Sequence, residues 1–136
     1  MGTILLTQTS HIWDILPMEA IKDKPIIWVG TSLEDIKDFP QEVKQEIGFV
    51  LGRVQQEEGH QNIKPLKGFS GVMEIRTSFM GDAYRTVYAL KINENIFVLH
   101  AFQKKSKKGI ETPKKELDMI KRRLKKAIEL ADEQVS

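Results

Sequence analysis

The chain has 136 residues, and its 21 Lys and Arg against 19 Asp and Glu leave a formal charge of +2 at pH 7. One domain is the natural expectation, since at this length roughly two-thirds of the unfolded surface can be buried in a single core. The absence of cysteine removes disulfides, thiolate zinc sites, thiol nucleophiles and iron–sulfur clusters, and no apolar run approaches the roughly 18 to 20 residues of a membrane span, so a soluble cytoplasmic protein without a membrane partner is expected.

Residues 1–23 are weakly patterned and read as an N-terminal extension ahead of a domain over 24–136. Ile26-Ile27-Trp28-Val29, closed by Gly30, is β-branched and aromatic and predicts a strand. Ser32 with Leu33-Glu34-Asp35 is an acidic variant of a capping box and predicts a helical turn. Pro40 suits a helix start, and Val43, Ile47, Val50, Leu51 and Val54 recur at helical spacing to about Gln56. Three strand-like runs follow, Val72 to Thr77, Ala83 to Leu90 and Ile96 to Phe102, joined by short turn-rich segments that imply an antiparallel meander. After a basic loop, Thr112-Pro113 opens a last helix whose stripe is Leu117, Ile120, Leu124, Ile128 and Ala131. The order β-α-α-β-β-β-α predicts an α+β fold, an antiparallel sheet with helices packed on one side.

The charge is unevenly spread. Residues 103–126 hold 11 cations against Glu111, Glu116 and Asp118, a local +8, which leaves −6 over the rest of the chain. A cationic block on an acidic body suggests a polyanion such as nucleic acid, with a solvated lysine-rich helix as the plain alternative.

Side chains alternate across a sheet, so parity assigns faces. Glu74 and Arg76 share a side of their strand. Arg85 lies with Ala83, Val87 and Ala89, and His100 and Phe102 lie with Val98, a side that Lys104 continues. If the register aligns these sets, Arg76, Arg85, His100 and Lys104 line one open face. Arginine grips phosphate oxygens bidentately and keeps its charge, which suits both binding and a phosphorane-like transition state, while Phe102 offers a ring for base stacking. An RNA substrate brings its own 2′-hydroxyl nucleophile, so such a site needs a base, an acid and a charge stabiliser, with no metal or cofactor. Each residue also has a plainer account: Arg76 and Arg85 paired with acids, His100 as a satisfied core histidine, and Lys67 on a solvated loop.

Taken together, Trp28-Val29-Gly30, Asp38-Phe39-Pro40, Pro65-Leu66-Lys67-Gly68-Phe69, Val72-Met73-Glu74-Ile75-Arg76, Ala83-Tyr84-Arg85-Thr86-Val87-Tyr88, Val98-Leu99-His100-Ala101-Phe102-Gln103-Lys104-Lys105-Ser106 and Thr112-Pro113-Lys114 strongly resemble the phage-derived branch of the RelE/HigB-like toxins. The resemblance spans roughly residues 24–127. It implies a RelE-like fold and the toxin of a type II toxin–antitoxin pair, an endoribonuclease that cleaves messenger RNA on the ribosome without metal. It also implies a helix-turn-helix antitoxin as partner, with operator DNA met only through the complex of the two. The family's strand arginine falls on Arg85, the cation ending the preceding strand on Arg76, and the basic residue after the last strand on Lys104 or Lys105. Lys67 matches a position often basic in the group, and Lys107 and Lys108 extend the RNA-binding set. The aromatic or histidine that many relatives carry near the C-terminal end is missing here, so His100 is the first candidate for proton transfer, Glu74 the second and a lysine the third. A non-catalytic RNA- or antitoxin-binding module of the same fold is the competing expectation.

Overall fold

The computed structural model describes residues 24–92, 94–104 and 112–135. The expected N-terminal extension, and Lys105, Lys107 and Lys108 of the basic loop, lie outside the described residues. The described chain runs β1 (Ile26–Trp28), α1 (Ser32–Lys37), α2 (Gln41–Gln55), β2 (Ile63–Pro65), β3 (Val72–Phe79), β4 (Asp82–Ile92), β5 (Asn95–Lys104) and α3 (Lys114–Val135).

The strands form one mixed sheet in the order β1-β5-β4-β3-β2. The meander β3-β4-β5 is antiparallel as its short turns require. β1 departs from the antiparallel expectation: it returns to pair parallel with β5, Ile26 opposite Ile96 and Trp28 opposite Val98. β2 is an addition that the sequence did not signal, because Ile63-Lys64-Pro65 is three residues long and contains proline. It sits at the outer edge against β3, where a strand carrying proline is tolerated.

Ser32 does not cap α1. The cap position is Thr31, and the Ser32 hydroxyl is buried and donates to the Val98 carbonyl of β5 at 3.1 Å. α2 begins after Pro40, and its predicted stripe Val43, Ile47, Val50, Leu51 and Val54 is buried throughout. Against it lie Ile26, Ile75, Tyr84, Tyr88, Ile96, Val98 and Ala101. Each fully buried aliphatic side chain here is worth about 1.5–3 kcal/mol of transfer free energy.

The expected layer on one side of the sheet is formed by α1 and α2 alone; α3 crosses the opposite face. There Ile120, Ala127 and Ala131 meet Ile27, Val29, Val72, Val87, Ala89, Phe97 and Leu99. The cause is β5 itself: Ile96-Phe97-Val98-Leu99 is apolar at every position and buried on both sides, so each face needs cover. The α3 stripe also shifts by one residue. Ala127 is buried and Ile128 is 47% exposed, because small Ala127 lets the helix approach the sheet closely.

One irregularity decides which side chains share the site face. Val87 stands opposite His100 and Tyr88 opposite Val98, so Leu99 is an extra residue on β5, a β-bulge. Val98 therefore belongs to the α2 side, and the simple alternation that grouped it with His100 and Phe102 fails there. Beyond the bulge His100, Phe102 and Lys104 turn to the α3 side.

Candidate functional site

The ladders bring the candidate residues together across three strands. Arg76 stands opposite Arg85, Glu74 opposite Val87, Arg85 opposite Phe102, and Ala83 opposite Lys104. Glu74, Arg76, Arg85, His100, Phe102 and Lys104 thus share one face, the alignment that parity anticipated.

That face is not open. Glu74, Arg85, His100, Phe102 and Lys104 are buried, and Arg76 is the half-buried member. Nor is it a bare row of cations. The Glu74 carboxylate, 3% exposed, sits between the two guanidiniums: Arg85 Nη1 donates to Oε1 at 3.0 Å, while Arg76 Nε and Nη2 donate to Oε2 at 3.2 and 2.9 Å. Two like charges on directly opposed strand positions would repel, and one buried carboxylate holding both removes that cost. Arg85 has a 6% exposed side chain behind this bridge, whereas Arg76 is 33% exposed and bonds Glu74 through Nε and Nη2.

His100 is tied to α3. Its Nε2 lies 2.6 Å from Glu116 Oε1 and its Nδ1 3.3 Å from Arg123 Nη1, while its ring stacks on Phe102 with centroids 5.2 Å apart. Arginine has no acceptor, so the Nδ1 facing it carries the lone pair and Nε2 donates its proton to Glu116. Arg123 also donates to the Leu99 carbonyl and to Thr31 Oγ1, each at 3.0 Å, and Thr31 Oγ1 donates onward to Asp35 at 3.1 Å. Burial draws the Arg123 guanidinium below its usual pKa, with Arg122 acting the same way and Asp35 opposing. Gly30, at φ +61°, leaves room for this side chain; a Cβ there would fall 2.6 Å from Arg123 Nε.

Glu116 and Arg123 were not singled out in the sequence. Their signal was present: Glu116, Ile120, Arg123 and Ala127 follow helical spacing and lie along the docked side of α3. Lys67 is exposed in the segment between β2 and β3. Among the described residues, no group of three or more His, Asp or Glu is arranged to hold a metal ion, and no helix is long and apolar enough to cross a membrane.

A family model described as Phage derived protein Gp49-like (DUF891) matches residues 34–125. A search of curated proteins returns no match to the chain. The matched segment contains α2, all of the meander, the Glu74 bridge and the first half of α3.

Proposed function

The chain belongs to the Gp49-like family of phage-derived proteins, and from that membership we propose that it is the toxin of a type II toxin–antitoxin pair, an endoribonuclease that cuts messenger RNA on the ribosome without metal. The observation that carries the reading is the pair Arg76 and Arg85, opposed across β3 and β4 and held by Glu74 on the face that also bears His100 and Lys104. In the proposed reaction the RNA 2′-hydroxyl attacks the adjacent phosphate, its proton passes to a base, the bond to the 5′ oxygen breaks and that oxygen takes up a proton. A 2′,3′-cyclic phosphate remains. Arg76, the more exposed of the two, binds the phosphate, and Arg85 behind it stabilises the added negative charge. Both His100 nitrogens and both Glu74 oxygens are engaged, so charge stabilisation supports the proposal further than an acid–base pair does. A helix-turn-helix antitoxin is the proposed partner, with operator DNA reached only through it.

Induction of the protein alone is expected to arrest growth and leave translation-dependent breaks in messenger RNA, and Arg76→Ala to relieve both while the protein accumulates in soluble form. Soluble wild-type protein without such breaks would overturn the nuclease. The burial of Arg85 and Glu74 favours a second reading, a non-catalytic RNA- or antitoxin-binding module, in which RNA is bound with steep salt dependence and recovered intact.

A further inference from the structure

α3 is docked through one side only. Its outer side carries Lys114, Lys115, Lys121, Arg122, Lys125 and Lys126, all exposed, along about 18 Å of helix. Lys114 pairs with Asp118 at 3.7 Å; among the described residues none of the other five has a carboxylate partner. Lys121 with Lys125, and Arg122 with Lys126, are like charges four residues apart, an arrangement that opposes helix formation. Asp118, four residues before Arg122, and exposed Glu129, four after Lys125, offset part of that repulsion, but six cations against two acids leave the ridge strongly positive.

We propose that the outer side of α3 is a docking surface for the phosphate backbone of helical RNA. Protein interfaces are anchored by buried aromatic and apolar groups, and this side of α3 offers only Ile128 and Met119 at its margins, whereas closely spaced cations suit a row of phosphates. The choice of RNA over another polyanion rests on the reading of the neighbouring site, because α3 lies across the face that holds Arg76 and Arg85. The ridge adds an anchor outside that site and contacts no reacting atom.

Binding of the full chain to a 2′-O-methyl RNA hairpin, followed by fluorescence anisotropy over a salt series, tests the surface apart from cleavage, since that hairpin lacks the nucleophile. The Lys121→Gln/Arg122→Gln variant is expected to bind at least about tenfold more weakly near 0.1 M salt and to flatten the log–log salt slope by about one to two. Lys37→Gln/Lys44→Gln, which removes the same charge from α1 and α2, is expected to stay within about twofold of the wild type. Equal losses in the two variants would overturn the proposal. So would polyglutamate binding the wild type as tightly as the hairpin, which would make the ridge a face for an acidic protein. Ridge-dependent binding by a protein that cuts no RNA would support the surface and remove only the nuclease.

Discussion

Glu74 is the residue on which the electrostatics of the sheet face turn. Its carboxylate is buried and answers two guanidiniums, so its loss leaves Arg85 charged, desolvated and unpaired. Glu74→Ala is expected to cost about 3–5 kcal/mol in a denaturant titration, and Glu74→Leu/Arg85→Leu to recover much of it, because removing both charges also removes their desolvation. A double variant as unstable as the single would show that the bridge is not the source of the cost. The companionship of Glu74, Arg76 and Arg85 was legible in the sequence, since alternation places all three on one face once the meander is in register. The burial was not: it depends on what covers the face, and parity is silent on cover. Glu116 and Arg123 were missed for a related reason, because a charged residue on a basic helix reads as solvated until the docking side of that helix is known.

At the scale of elements, α3 divides what sequence could and could not convey. Its start after Pro113 and its helical stripe were readable, yet the stripe takes Ala127 in place of Ile128, because backbone approach favours the small side chain. Ile120→Ala is expected to lower stability by about 2–5 kcal/mol, whereas Ile128→Ala should change it by no more than about 0.5 kcal/mol; thermal or denaturant unfolding of the two variants checks the contrast. Similar costs would place α3 in a different rotation. β1 and β2 escaped for opposite reasons. β1 was read as a strand, but its parallel partner lies some seventy residues along the chain, and short-range patterns carry no such information. β2 is too short for alternation to register. The two-sided burial of β5 was legible in its unbroken apolar run, and it implies the two helical layers that the element order alone did not.

For the whole molecule, pH tolerance follows from where the titrating groups sit. Burial raises the phenol of Tyr88 above its usual value of 10.0. Below that value both folded and unfolded chains keep the proton and Tyr88 adds no pH dependence. As pH rises through about 10 the unfolded chain ionises while the folded one resists, so stability falls with further alkalinity. Tyr88→Phe is expected to lose less stability than the wild type between about pH 9 and 11, by denaturant midpoints at each pH. Equal losses would assign the alkaline sensitivity to other groups. The near-neutral total charge likewise conceals spatial separation, with cations crowded on the outside of α3 and half neutralised within the sheet, where the single carboxylate of Glu74 holds Arg76 and Arg85.

The extra residue at Leu99 divides β5 into two half-strands of opposite phase. The first half, Ile96 to Leu99, is committed to the two apolar layers. The second presents His100, Phe102 and Lys104 in a phase of its own. Deleting Leu99 would leave Val98 opposite Tyr88 and His100 opposite Val87 in unbroken alternation, so both halves would keep their partners: the bulge is a joint at which the chain can change its count by one without moving either the core half or the site half.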